Sequence, residues 1–145
     1  MTSSPREVVE QVRRMVAGEG VVFADLFAPD GVLEYPFTLL GQPRELRGQE
    51  AIRSYFATAS GARHVFEMDG VEALVRETDD PEVLVTEIEH HGRSLVTGEP
   101  YRSRALGVIR VRNGQIVHYA DYMDAISTAR LLGRTADLAA ALSGA

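Results

Sequence analysis

The most informative segment of the chain is Gly-Gln-Ile-Val-His-Tyr-Ala-Asp-Tyr-Met-Asp, residues 114–124. Its alternation predicts a β-strand, in which successive side chains point to opposite faces of a sheet. In a regular strand Asp121 shares its face with Val117, Tyr119 and Met123. A carboxylate among such neighbours is costly to bury unless it is paired or kept partly protonated. Asp121 is therefore the first candidate for a chemical role.

An Asn-Gly pair at residues 113–114 precedes this strand and is a strong signal for a two-residue hairpin turn. With that turn, Arg112 pairs with Gln115, and regular pairing makes Arg104 a diagonal neighbour of Asp121 on the same face. A second predicted turn, at residues 97–100, adds the preceding strand to this face. The predicted constellation on one face comprises Glu89, His91, Arg104, Tyr119 and Asp121. A single β-bulge would move part of this set to the other face.

Composition limits the class of protein. The chain has 145 residues, 45% of them hydrophobic, which suits one folded domain over residues 1–145. The net charge of −6 argues against a nucleic-acid binder, which needs a basic surface. Cysteine is absent, which excludes disulfides and thiolate chemistry. No apolar run is long enough for a membrane span, and residues 1–10 lack the apolar core of a signal peptide, so a cytoplasmic location is expected.

The first half of the chain reads mainly as helix. Ser4 and Glu7 form a capping-box pattern before an apolar stripe at helical spacing, which predicts a helix there. Further along we expect a short helix over Val21–Phe27, a turn over residues 28–31, a short strand over Val32–Pro36, a loop over residues 37–48 and a helix over Gln49–Ala59.

The second half reads mainly as strand. Strands are expected over Arg63–Met68, Val71–Thr78, Glu82–Val96, Tyr101–Arg112 and Gln115–Met123, with a turn at Asp69-Gly70. Asp124 is a candidate cap for a helix over Ala125–Leu132, and Thr135 for a short tail helix. Helices followed by an antiparallel meander indicate an α+β domain. The sequence has no glycine-rich phosphate loop and no zinc-ligand spacing, so neither a cofactor nor a metal is expected.

Three segments resemble the nuclear transport factor 2-like superfamily, in particular its SnoaL-like polyketide cyclase branch. They are residues 27–36, residues 47–56 and the stretch from Thr97 to Asp124. The resemblance implies a cone-shaped, curved, mostly antiparallel sheet that wraps around the N-terminal helices and encloses an interior pocket. It also implies a homodimer. The same fold hosts isomerases, epoxide hydrolases, cyclases, phenazine-biosynthesis A/B proteins and binders without activity, so the fold alone does not give the reaction.

The functional residues of these families transfer only in part. The ketosteroid isomerase base would fall at Tyr35, its oxyanion tyrosine has no counterpart in residues 6–20, and its protonated acid would fall near Gly107 or Val108. Steroid isomerisation by that mechanism is therefore not expected. Epoxide hydrolases of this fold use an Asp-Arg-Asp set, of which Asp121 alone is in place. Cyclases have an acid–base Asp that Asp121 matches, and phenazine A/B proteins have a histidine that His64 matches.

These observations predict a cofactor-free cyclase, isomerase or lyase acting on a small, apolar, polyketide-like or aromatic intermediate. Asp121 would move the proton, and Arg104, His91 or Tyr35 would stabilise an enolate oxygen. The expected substrate-binding residues are Tyr35, Tyr55, His64, Glu89, Tyr119 and Met123. Three alternatives stay open: epoxide opening with Glu89 as proton donor, a binding protein without activity, and a purely structural Asp121–Arg104 ion pair.

Overall fold

The fold is a curved, unclosed six-stranded sheet, seen in a computed structural model that describes residues 2–38, 41–59 and 65–144. The strand order is β2-β1-β6-β5-β4-β3. β1 lies parallel to β6, and every other neighbouring pair is antiparallel. The strands span Phe27–Glu34 (β1), Glu45–Arg47 (β2), Phe66–Glu77 (β3), Val83–Ser94 (β4), Pro100–Arg112 (β5) and Gln115–Met123 (β6). The predicted α+β class is confirmed.

The described part of the chain also forms four α-helices: Pro5–Val16 (α1), Gln49–Ala59 (α2), Ala125–Leu131 (α3) and Thr135–Leu142 (α4). The predicted capping box is present, because the Ser4 hydroxyl accepts from the Glu7 N–H and the Glu7 carboxylate accepts from the Ser4 N–H. Asp124 caps α3 by accepting from two backbone N–H groups. The cap of α4 is Arg134 rather than Thr135.

Two predicted turns are irregularities inside strands. Residues 28–31 belong to β1, and Asp69 is an extra residue within β3, between the pairs Met68–Gly92 and Gly70–His91. A Cβ atom on Gly31 would lie 2.7 Å from the carbonyl oxygen of Ile116, so glycine is needed where β1 passes β6. The predicted helix over Val21–Phe27 is a 3₁₀ turn at Phe23–Leu26, and the predicted loop over residues 37–48 contains the short strand β2.

A β-bulge in β6 decides which residues face the interior. The β5–β6 hairpin starts as predicted, with Arg112 opposite Gln115, but Val117 is left unpaired and Arg110 pairs with His118. From that point the register differs from the prediction by one residue, so Gly107, and not Leu106, lies opposite Asp121. A one-residue shift exchanges the two faces of a strand relative to its neighbour.

The β4–β5 register also differs from the prediction, by an even number of residues. Arg93 pairs with Pro100, Glu89 with Arg104 and His91 with Arg102. Because an even shift preserves the faces, Glu89, His91 and Arg104 do share one face, as expected. The bulge in β6 places them on the face opposite to Asp121.

The main core lies between the concave face of the sheet and the helices α1 and α2. Phe23 stands at its centre and makes edge-to-face contacts with Phe27, Phe56 and Tyr119 at centroid distances of 5.0, 5.2 and 5.6 Å. Val12 and Ile52 bring the two helices into the same core and are completely buried. This packing fills one part of the concave face and leaves a cavity beside it.

Candidate active site

A cavity of about 610 Å³ lies between the concave face and the helices. This volume is within the range typical of small-molecule sites, roughly 300–1,000 Å³. Its wall is mostly apolar, from residues such as Val21, Phe23, Phe56, Ile88 and Met123. The polar side chains in the wall are Tyr35, Gln42, Arg53, Tyr55, His90, Ser103, Arg104, Tyr119, Asp121, Asp124 and Thr128.

Asp121 is an acid in the wall of this cavity, and the residue as a whole is half-buried. It lies near the end of β6, and its Oδ1 atom is buried without a hydrogen-bond partner among the described residues. Burial raises the pKa of the Asp121 carboxyl from 3.8 to about 7. At neutral pH the group therefore exists in both protonation states, which lets it take up and return a proton.

Two tyrosines surround this acid. Tyr35 and Tyr119 line the cavity and are 4% and 6% exposed. Burial raises the pKa of both phenols, and the negative charge of Asp121 raises it further. Both hydroxyl groups therefore stay protonated and can donate a hydrogen bond to an oxygen atom bound beside Asp121.

Gly107 makes room for this group of polar side chains. It lies between Thr86 on β4 and Asp121 on β6 in one row across the sheet. A Cβ atom on Gly107 would lie 2.7 Å from Thr86 Oγ1 and 3.2 Å from the Tyr119 hydroxyl oxygen. Thr86 Oγ1 is buried and, among the described residues, has no hydrogen-bond partner. The missing side chain lets the Tyr119 ring lie close to the sheet.

A second polar group lines the cavity on β4 and β5. His90 and Ser103 are register partners on the cavity side, and His90 Nδ1 lies 2.9 Å from the Tyr101 hydroxyl oxygen. His90 and Ser103 are not among the site residues predicted from the sequence. Alternation gave the signal that could have found His90, since a histidine next to an outward-facing His91 must face inward.

Arg104 does not pair with Asp121. It contributes to the cavity wall, but its guanidinium donates to Glu89 on the outer face, with Nη2 2.7 Å and Nε 3.0 Å from Oε2. Arg102 also donates to Glu89. Hydrogen bonds from Arg104 and then Arg102 lower the pKa of Glu89. The prediction of a structural ion pair between Asp121 and Arg104 is therefore wrong. Glu89, which was predicted to bind the substrate, does not line the cavity.

His91 is also on the outer face. It pairs with Arg102 and Gly70, and its ring covers Gly70, where a Cβ atom would lie 2.8 Å from His91 Cε1. The expected role of His91 at an enolate oxygen is therefore not supported by its position. His64 lies outside the described residues. Of the other predicted substrate-binding residues, Tyr35, Tyr55, Tyr119 and Met123 line the cavity.

The described residues contain no cluster of three or more His, Asp or Glu side chains able to hold a metal ion. No helix in the same part of the chain is long and apolar enough to cross a membrane.

Comparison with known proteins gives a matching family model and a relative that is similar over nearly the whole chain. A family model described as SnoaL-like domain matches residues 8–119. An uncharacterised PhzA/B-like protein of Pseudomonas aeruginosa is 28% identical over 138 residues, which cover 95% of this chain and 96% of that protein.

Solved structures agree on the fold. A Bacillus subtilis protein proposed to be an isomerase superposes with a TM-score of 0.75 at 24% identity, covering 92% of this chain and 98% of its own. A Pseudomonas putida protein proposed to be a polyketide cyclase superposes with a TM-score of 0.65 at 16% identity, covering 89% and 98%. At these identities the structures show a shared fold and not a shared reaction.

Proposed function

Since this chain belongs to the SnoaL-like domain family, we propose that it is a cofactor-free acid–base enzyme of the cyclase, isomerase or lyase type. Its substrate is a small, largely apolar molecule that carries a carbonyl group. Asp121 moves a proton at the carbon atom next to that carbonyl. The apolar wall binds the ring or chain of the substrate and keeps water away from the reacting atoms.

One observation carries this proposal: the Asp121 carboxyl lies in the wall of a mostly apolar cavity, its Oδ1 atom is buried with no hydrogen-bond partner among the described residues, and its pKa is about 7. A general base is most effective when its pKa lies near the working pH. Burial of an unpaired polar oxygen lowers the stability of the protein, and a ligand or a transferred proton offsets that cost. A purely structural role for Asp121 would leave this loss of stability uncompensated.

The proton transfer balances within the cavity. Ionised Asp121 removes a proton from the carbon next to the carbonyl, and the electron pair moves onto the carbonyl oxygen to form an enolate. The hydroxyl groups of Tyr35 and Tyr119 donate hydrogen bonds to that oxygen while its charge develops. Protonated Asp121 then returns the proton to another carbon or to an oxygen of the product. The acid ends in the state in which it began.

The names of the similar proteins support this reaction class. They include a protein proposed to be an isomerase, another proposed to be a polyketide cyclase, and a PhzA/B-like relative. Epoxide opening with Glu89 as the proton donor is not proposed, because Glu89 binds Arg102 and Arg104 on the outer face.

Proton exchange at a model ketone tests the proposal without knowledge of the natural substrate. We expect the protein to accelerate deuterium uptake next to the carbonyl of 2-tetralone, followed by proton NMR in heavy water. Asp121→Asn should fold and lose about 100-fold or more of this acceleration. Glu89→Gln is the matched control, an acid-to-amide change on the other face, and should retain it. Exchange by the Asp121→Asn variant at the wild-type rate would refute the assignment, and exchange no faster than in buffer would favour a binding protein.

A further inference from the structure

We propose that Ala105 determines which size of substrate reacts, because a second ring of the substrate lies over its methyl group. This inference rests on the proposed function, since it assigns a class of substrate to the same cavity: ketones with at least two fused rings. The reacting carbonyl lies beside Asp121, and the second ring lies further along β5.

The residues of β5 that face inward are small where the strand passes the cavity. They are Ser103, Ala105 and Gly107, of which the first two line the cavity. The register partners of Ala105 are larger, with Ile88 on β4 and Met123 on β6, and both line the cavity as well. A groove therefore runs along β5, and Ala105 forms its floor between two longer side chains.

The core of the protein closes one end of this groove. The next row beyond Asp121 consists of the register partners Leu84, Ile109 and Tyr119, which are 3%, 0% and 6% exposed. Because such a core is packed as densely as a crystal, a ligand cannot enter this row without displacing side chains. A substrate whose carbonyl lies beside Asp121 therefore extends the other way, toward Ala105.

The two rows differ in polarity. The Asp121 row carries two buried oxygen atoms that have no hydrogen-bond partner among the described residues, Thr86 Oγ1 and Asp121 Oδ1. The row of Ala105 is apolar, and two of its members, Ala105 and Met123, are half-buried and leave surface that a hydrocarbon ring can cover. Gln42 donates to Met123 Sδ at 3.3 Å, which holds this otherwise flexible side chain at one edge of the groove.

The spacing of the rows sets the size of the substrate. Asp121 and Met123 are two residues apart along β6, which corresponds to roughly 7 Å. A ring that reacts beside Asp121 therefore leaves the surface of Ala105 to a second ring. A ketone with one ring makes contact with the Asp121 row alone.

Two ketones of different size test this role of Ala105. The assay is deuterium exchange next to the carbonyl, with 2-tetralone as the bicyclic ketone and cyclohexanone as the monocyclic one. The quantity compared is the ratio of kcat/KM for 2-tetralone to kcat/KM for cyclohexanone, in each variant relative to the wild type, so that the different acidities of the ketones cancel. Ala105→Leu adds three carbon atoms to the floor of the groove and should lower this ratio about 10- to 100-fold. Ala105→Val adds two carbon atoms and should lower it less.

Leu106→Phe is the matched control. It also adds three carbon atoms, at the next residue and on the outer face of β5, and should leave the ratio unchanged. An unchanged ratio in an Ala105→Leu or Ala105→Val variant that keeps the wild-type circular dichroism spectrum would overturn the role of Ala105 alone. Exchange of neither ketone by the wild-type protein would overturn the proposed function and this inference together.

Discussion

At the residue scale, the account depends on how burial acts on Asp121. The carboxyl has an oxygen atom that is buried and unpaired among the described residues, and the guanidinium of Arg104, which could have ionised it, binds Glu89 instead. Removing an acid from water without a charged partner raises its pKa. The loss of the expected ion pair therefore strengthens the case for proton transfer, because a paired aspartate would hold its charge at neutral pH.

The same burial predicts a pH-dependent stability effect. The pKa of Asp121 is about 7 in the folded protein and near 4 in the unfolded chain, so folding binds a proton between these values. This contribution to stability is complete below pH 4 and is lost as the pH rises through 7. Relative to the wild type, Asp121→Asn should therefore gain roughly 4 kcal/mol in free energy of unfolding from pH 3.5 to 8. Urea unfolding at both pH values measures it, and a difference independent of pH would contradict it.

The two cavity tyrosines give a separate prediction. Replacing Tyr119 or Tyr35 by Phe removes a hydroxyl that donates to the enolate oxygen, and should slow ketone exchange about 10- to 100-fold. Tyr122→Phe is the matched control. Tyr122 lies next to Asp121 in β6 and packs against Phe37 at 5.4 Å, outside the cavity wall. Exchange at the wild-type rate in all three variants would show that the hydroxyl groups of Tyr35 and Tyr119 take no part in the reaction.

At the element scale, the bulge at Val117 explains why the sequence predicted the elements better than the site. Strand β6, helix α2 and the capping box of α1 follow from alternation, helical spacing and capping residues, which are local signals. The bulge depends on packing, since Ile116 and Tyr119 both enter the core although they are three residues apart. Because of this one extra residue in β6, Asp121 lies on the face of the sheet opposite to Arg104, Glu89 and His91.

Gly107 links the packing of the strands to the cavity, because it lies between Thr86 and Asp121 across the sheet. Gly107→Ala should destabilise the protein and slow ketone exchange, because the new methyl group meets Thr86 Oγ1 and the Tyr119 ring. Adding Thr86→Ala removes the nearest of these atoms and should recover part of the stability. The measurement is a double-mutant cycle of unfolding free energies. Strict additivity of the two changes would contradict the close approach.

On the outer face, the contribution of Glu89 to stability has the opposite dependence on pH. Glu89→Gln removes the carboxylate that Arg102 and Arg104 bind, so the variant should be less stable than the wild type at pH 7. Because the pKa of Glu89 is lowered by folding, this contribution is present above the unfolded pKa and is lost as the pH falls through the folded one. Unfolding curves of the two proteins should converge in acid. A constant gap down to pH 2 would contradict this role.

At the scale of the whole molecule, the fold brings distant parts of the chain to one cavity. Tyr35 follows β1, Tyr55 lies on α2, His90 on β4 and Asp121 on β6. The family resemblance predicted the curved sheet and its pocket. It did not predict which face of each strand lines the pocket, because register irregularities are set by side-chain packing across strands.

The domain organisation and the oligomeric state of the whole molecule remain predictions. The single domain is expected from length and composition, and the homodimer from the family resemblance. Analytical ultracentrifugation of the full chain tests the homodimer, for which we expect a mass twice that of one 15.9 kDa chain. A single species of 15.9 kDa across the concentration range would contradict it.

The most direct test of the central claim is a titration of the Asp121 carboxyl carbon by carbon-13 NMR, with the signal assigned by its loss in Asp121→Asn. The account predicts a midpoint near pH 7, because the removal of water from around the carboxyl disfavours its charged form. A midpoint near the ordinary value of 3.8 would contradict it. Asp121 would then be a fixed charge at neutral pH, unable to exchange a proton with a substrate.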